Sequence, residues 1–203
     1  MTAQVQDILF FQGKPYRLAG IGANEAPFDP QCHGIHAFAA DTACHRGYVC
    51  TYAVSNDGSL VLRELHINLD LRAAIPGVSH LVPIPPPELF GTKPIAQGRR
   101  ADFEWCYKDM SGPAPYTGGL LIAADFIDEL YAHMGFHPAW KYREVHELLF
   151  DQGRLLSASD VSAEMAELRK NVTREMLKPA DTADIGAWVE KCFSRRYARP
   201  FRV

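Results

Sequence analysis

Apolar and polar positions alternate with a period of two over several short stretches of this chain, each bounded by turn-forming residues. Ile8 to Phe11 and Tyr16 to Leu18 flank Gln12-Gly13-Lys14-Pro15 and read as a hairpin. Gly47 to Ser55 and Ser59 to Leu69 flank Asn56-Asp57-Gly58, residues that tolerate the positive φ a hairpin turn requires. In the return strand, strict alternation puts Val61, Leu65, Ile67 and Leu69 on one face, and Leu60, Leu62, Glu64, His66 and Asn68 on the other. Ala101 to Lys108 alternates too, with Phe103, Trp105 and Tyr107 opposite Asp102, Glu104 and Lys108, which predicts a half-exposed strand. Tyr116 to Ala124 reads as a strand. A third hairpin joins Tyr142–Phe150 to Arg154–Ser157 through Asp151-Gln152-Gly153.

Helical spacing takes over elsewhere. Phe126, Ile127, Leu130 and Met134 form one stripe, which predicts a helix over 125–134, started by Asp125 and ended by Gly135. Met165, Leu168, Val172 and Met176 predict a helix from Ser162 to Lys178, broken by Pro179. Ile185, Trp188, Val189, Cys192 and Phe193 predict another that begins near Asp181. Residues 20–43 read as a long loop with one short helix near Gly34 to Ala40. Residues 75–98 hold Pro76, Pro83, Pro85, Pro86, Pro87 and Pro94, so they form a covering loop or a stiff arm rather than a central strand. The expected class is α+β: a mainly antiparallel sheet built from hairpins, one internal helix and two C-terminal amphipathic helices. The sheet domain spans 1–157, and residues 158–203 form a helical extension packed on it.

Composition narrows the function classes. A chain of 203 residues buries roughly 70% of its unfolded surface, enough to fold without metal or disulfide. The net charge of −3 argues against general nucleic-acid binding. The longest apolar run near the start, Ile8 to Phe11, is too short for a signal peptide, and no stretch approaches the ~20 apolar residues of a membrane span. The expected location is therefore cytoplasmic. There the five cysteines, an odd number, read as reduced thiols without metal or cofactor.

Three stretches carry a resemblance: Asp41 to Tyr52 (DTACHRGYVCTY), the NDGSLVLREL that follows, and Tyr116 to Phe136 (YTGGLLIAADFIDELYAHMGF). Together they resemble a family of bacterial proteins with a Thr-Ala-Cys-aromatic-Arg-Gly-Tyr stretch and a Tyr-x-His-Met-Gly stretch before a final hairpin. The resemblance covers about residues 8–157 and departs at His45, where the pattern has an aromatic residue. It implies the fold and a bacterial origin, and it transfers no catalytic residue.

Four groups of side chains bear chemistry. Cys32, His33, His36, Cys44, His45 and Cys50 lie close in sequence and are of zinc-ligand type, but no Cys-x-x-Cys pair organises them. Cys44, beside His45 and Arg46, is a candidate nucleophile; the bland reading packs Cys44 at a strand entrance and pairs Arg46 with a carboxylate. Glu64 with His66, and Glu144 with His146, sit two apart on predicted strands, about 7 Å along each. If those strands were neighbours, two carboxylates and two imidazoles would converge for acid–base or metal work. His133 falls at the edge of the predicted 125–134 stripe. No phosphate-binding loop, dinucleotide fingerprint, nucleophile elbow or His-Glu-x-x-His motif occurs.

These observations favour a non-enzymatic protein-binding domain, with an immunity protein that neutralises a bacterial toxin as its sharper version. The alternative is a small hydrolase or metal-dependent enzyme using Glu64, His66, Glu144 and His146, or Cys44 with His45. A protein partner is expected to meet Phe28, Phe38, Leu89 and Phe90, carried on the loops Gly20 to Asp41 and Pro76 to Gly98. Nucleic acid and membrane are not expected partners.

Overall fold

The computed structural model describes residues 2–22, 26–69, 85–97, 102–172 and 185–201. Ten strands among them form one sheet: β1 Ile8–Phe11, β2 Lys14–Ile21, β3 Tyr48–Val54, β4 Leu60–Ile67, β5 Ile95–Ala96, β6 Trp105–Tyr107, β7 Gly112–Pro113, β8 Gly118–Phe126, β9 Tyr142–Asp151 and β10 Arg154–Asp160. Their order is β10-β9-β8-β2-β1-β3-β4-β6-β5, with β7 also on β4. Every pairing is antiparallel except β1 with β3, which makes the sheet mixed. The β9–β10 tip is hydrogen-bonded to the β3–β4 tip, through Leu60 N to Gly153 O at 2.7 Å and Leu155 N to Gly58 O at 2.8 Å. A flat sheet could not bring these two hairpins together, so it is strongly curled.

The curl separates two apolar cores. Leu9, Leu18, Tyr52, Leu62, Leu65, Ile122 and Leu148 fill the inner one. Ala19, Leu121, Ala123, Val145, Val161 and Met165 form a smaller one on the other side. Leu121 and Ala123 point away from Leu120 and Ile122 because successive strand residues face opposite ways. Helix α1, Ser162–Lys170, lays Met165 and Leu168 on the smaller core.

All three hairpins form, with Gln12-Gly13, Asn56-Asp57-Gly58 and Gln152-Gly153 at their tips. The helix expected over 125–134 does not. Strand β8 continues to Phe126, which pairs with Tyr142, and only the 3-10 turn Asp128–Leu130 follows. Phe126 and Ile127 suit a strand as well as a helix, and extending an existing sheet wins over starting a ten-residue helix. The short helix expected near Gly34 to Ala40 lies earlier, as the 3-10 turn Pro30–His33, because Asp29 caps it and Gly34 adopts φ 71° and ends it. The strand expected over 101–108 shortens to β6. Trp105, Cys106 and Tyr107 are all buried, since Trp105 and Tyr107 join the inner core and Gln97 covers Cys106 on the opposite face.

Helix α2, Ile185–Phe193, is the second C-terminal helix. Helix α1 ends at Lys170 with Asn171 as its cap, short of the expected Lys178. The expected start of α2 at Asp181 and residues 75–84 of the proline-rich arm lie outside the described residues. Among the described residues no helix is long and apolar enough to cross a membrane.

Candidate functional site

On the smaller-core side of the sheet lies a cavity of about 750 Å³. Its floor is Ala19, Ile21 and Leu121, small and apolar. Met165 and Leu168 of α1 wall one side, and Trp188 with Cys192 of α2 another. The loop after β8 adds Met134, Phe136, Trp140 and Lys141, and the C-terminal segment adds Arg195, Arg196, Tyr197, Arg199 and Phe201.

The C-terminal segment is held there by specific contacts. It runs beside the end of β2: Ile21 N donates to Arg195 O at 2.7 Å and Tyr197 N to Ile21 O at 3.2 Å. Gly20, Gly22 and Gly119 leave room for the Tyr197 ring. The Tyr197 hydroxyl donates to the buried Glu147 at 2.9 Å, and Arg199 also pairs with Glu147. Burial, with the Glu147 carboxylate beside it, pushes the Tyr197 hydroxyl far above its ordinary range, so it stays a protonated donor. Further along, Arg195 reaches Asp7, a fully buried carboxylate that also takes a two-pronged contact from Arg46 at 2.9 and 3.0 Å and the Cys50 amide at 2.8 Å.

Lys141 is the unusual wall residue. Only 4% of it is exposed. Its backbone is clamped on both sides: Arg169 of α1 donates to Trp140 O and to Tyr142 O, both at 2.7 Å. Lys141 N donates to Pro138 O at 3.0 Å, and Ile127 N to Lys141 O at 2.9 Å. The ammonium lies 5.4 Å from the Trp140 ring centre but has no hydrogen-bond or ion-pair partner among the described residues. Burial pulls its pKa below the usual lysine range, and the nearby Cys192 thiol opposes that only in part. The described residues around the cavity include Lys141, Lys191, Arg195, Arg196 and Arg199 but no aspartate or glutamate. Arg195 and Arg199 are neutralised by Asp7 and Glu147; among the described residues Lys141, Lys191 and Arg196 are not matched by any carboxylate. Together these features make a cationic cavity with aromatic and aliphatic walls, suited to an anion with an apolar body.

The residues singled out from sequence lie elsewhere. Glu64 and His66 stand 3.6 Å apart on β4, and Glu144 and His146 3.4 Å apart on β9. Strands β8, β2, β1 and β3 separate them, so the four side chains do not converge. Glu144 instead takes the Tyr16 hydroxyl at 2.7 Å and pairs with Lys14. Cys44 is buried, and its thiol donates to Tyr48 O at 3.4 Å. Burial raises its pKa, and Arg46, which opposes that rise, is committed to Asp7. His45 sets its ring edge-on to Phe193 at 5.2 Å and so takes an aromatic's packing role. His133 is exposed and meets the Tyr131 hydroxyl at 3.1 Å. Among the described residues no three His, Cys, Asp or Glu side chains are grouped to hold a metal ion.

Of the four expected partner anchors, Phe28 and Leu89 are buried, while Phe38 and Phe90 are 39% and 37% exposed. Phe28 stacks on His33 at 5.2 Å, and Phe90 meets both rings edge-on. The apolar stripe of α2 is not consumed on the sheet, since none of its residues is fully buried and Trp188 faces the cavity. Sequence reasoning missed Lys141, Trp140, Trp188 and Arg196. The one available signal was a C-terminal segment that interleaves Arg195, Arg196 and Arg199 with Tyr197 and Phe201. Comparisons with protein-family models, with curated proteins and with solved structures each find no match to this chain.

Proposed function

We propose that this protein binds a small anion with an apolar body in the cavity walled by Lys141, Trp140, Trp188 and the C-terminal segment. The observation that carries this reading is Lys141, only 4% exposed and lining the cavity with no carboxylate beside it among the described residues. A largely buried lysine with no carboxylate beside it among the described residues adds to the positive field of the cavity, and an anionic ligand would offset that field. The aromatic and aliphatic walls would take up the ligand's apolar part. A binding role of this kind requires no catalytic group.

The test pairs ligand binding with stability. Titration calorimetry with aryl and medium-chain carboxylates should detect binding that Lys141→Met weakens at least about tenfold, the scale of one lost charge-assisted contact. The same substitution should stabilise the free protein, because it removes a buried charge and keeps the volume. A Lys141→Met protein that is less stable and binds carboxylates unchanged would refute the reading.

A protein-partner role, including toxin neutralisation, rests on a separate observation, the half-exposed Phe38 and Phe90 on the two loops. Phe90→Ala that leaves the melt unchanged but loses a captured partner would favour it. A lower melt with no lost partner would make Phe90 a structural residue.

A further inference from the structure

Resting on that reading of the cavity, we propose that Lys141 condenses reversibly with an aldehyde or ketone group on the bound anion to form an imine. Three features of the cavity converge on this chemistry. The amine is fixed: Arg169 grips the carbonyls on either side of Lys141, so the side chain leaves a rigid backbone at a defined point of the wall. It is largely buried: only 4% of the residue is exposed, and the ammonium lies 5.4 Å from the Trp140 ring centre. Third, no described residue around the cavity is an aspartate or glutamate that would hold it protonated. A lysine placed this way loses its proton more readily than one in water, and the free amine is the nucleophile. Burial accordingly lowers the Lys141 pKa.

The other cavity cations define the ligand. Lys191 and Arg196, which have no carboxylate partner among the described residues, stand ready for its anionic end, while Trp140, Trp188 and Leu168 suit a ring or chain between that end and the carbonyl. The substrate class is therefore an oxo-acid with an apolar body. The Lys141 nitrogen lone pair adds to the carbonyl carbon, and the carbonyl oxygen takes a proton. The resulting carbinolamine loses water, with both nitrogen protons leaving in the overall exchange of carbonyl oxygen for nitrogen. One amine and one carbonyl give one imine and one water, and hydrolysis reverses the step. No oxidant or further reactant is needed. Cys192, on the same wall, is the competing nucleophile, but burial raises its pKa and keeps it as the thiol.

The experiment uses 4-formylbenzoate with the full chain, and 4-(hydroxymethyl)benzoate as the analogue that lacks the carbonyl. Cyanoborohydride reduces an imine to a stable amine, which peptide mapping locates. Calorimetry follows binding of both compounds in parallel. We expect one adduct at Lys141, formed about tenfold or more faster than at the exposed Lys14, because the cavity holds the bound carbonyl against this amine. The analogue should slow it by competition. Lys141→Arg should abolish it, while Cys192→Ser should retain it. Binding of both compounds without a preferred adduct at Lys141 would overturn the imine and leave the anion-binding reading standing. An adduct on Lys191 instead would do the same. Failure of either compound to bind or react would overturn both.

Discussion

Arg195 reaches the buried carboxylate of Asp7 at 2.7 Å and so ties the C-terminal segment to the first residues of the chain. Asp7 is shared, because Arg46 holds the same carboxylate from another loop. Removing the carboxylate leaves both guanidiniums without their shared counter-charge, whereas removing Arg195 leaves Asp7 paired. Asp7→Asn should therefore cost about 3–5 kcal/mol, and Arg195→Met about 1–3 kcal/mol. Urea denaturation of the two variants measures this, and the reverse order would show that Arg46 does not compensate. Because Arg195 also lines the cavity, Arg195→Met should weaken carboxylate binding more than its stability cost alone suggests.

Tyr197 occupies space that glycines leave. A β-carbon added at Gly119 would run into the Tyr197 hydroxyl, and one at Gly20 would come within 3.0 Å of its ring. Gly119 lies within β8, so its backbone accepts alanine and the clash is the main cost. Gly119→Ala should destabilise the wild-type chain by about 1–3 kcal/mol through overpacking. In a Tyr197→Ala background the same change should cost less than about 0.5 kcal/mol, giving a coupling above roughly 1 kcal/mol. Equal costs in both backgrounds would mean the segment does not rest on the glycines.

Acid sensitivity should come in two steps. Burial, then the neighbouring Lys141, pulls His137 down to about 4, and its Nδ1 is buried without a partner among the described residues. Its native pKa is below the unfolded value, so stability falls as pH drops from about 6.5 toward 4, where only the unfolded chain gains the proton. Asp7 follows below that. Burial alone would raise its carboxyl, but Arg46 and Arg195 overcome the penalty and hold it at about 2. Its contribution is complete above the ordinary aspartate value and is lost as pH falls toward 2. His137 packs on the Phe126 and Tyr131 rings at 4.8 and 5.3 Å, so His137→Phe should fit. That variant should flatten the melting temperature between pH 6.5 and 4 and leave the lower step intact; an unchanged slope above pH 4 would place the titrating group elsewhere.

The hairpins were legible because their turns are local chemistry: Asn56-Asp57-Gly58 and Gln152-Gly153 specify a reversal without reference to the rest of the chain. Gly58 and Gly153 take φ 82° and 80°, and Gln152 takes 46°. The parallel pairing of β1 with β3 was not legible, since 36 residues separate Phe11 from Tyr48 and neither strand encodes its neighbour. The 125–134 stripe misled because Phe126 and Ile127 satisfy both periods, and only the pairing of Phe126 with Tyr142 decides between them. Lys141 was invisible for a similar reason. A lysine just before a strand reads as solvated until α1, α2 and the C-terminal segment close around it. The pairing of Arg46 with a carboxylate was anticipated as a type of contact, but its partner, Asp7, lies 39 residues away.

Arg63 carries the sharpest test of how pattern becomes structure. In β4, Thr51 pairs with Glu64 but Tyr52 pairs with Leu62, so Arg63 is an extra residue opposite no partner. The bulge shifts the alternation by one: Leu60 and Leu62 face the core before it, and Leu65 and Ile67 after it. The simple period of two, which would place Leu62 and Leu65 on opposite faces, breaks here for that reason. The role belongs to the residue's presence and not to its side chain, which is exposed. Its carbonyl also accepts the Met110 amide at 2.9 Å, a contact any residue can make. Arg63→Ala should therefore change stability by less than about 0.5 kcal/mol, as surface substitutions do. Deleting Arg63 should be far worse. Restoring continuous pairing turns either Leu60 and Leu62 or Leu65 and Ile67 out of the core, and each buried leucine or isoleucine lost is worth about 2–5 kcal/mol. Two such losses, about 4–10 kcal/mol, are comparable with the roughly 5–15 kcal/mol that typically holds a domain together. Circular dichroism of the deletion variant should show no cooperative melt, while Arg63→Ala melts like the wild type. A folded deletion variant would mean that the strand slips without penalty and that the two faces of β4 are interchangeable.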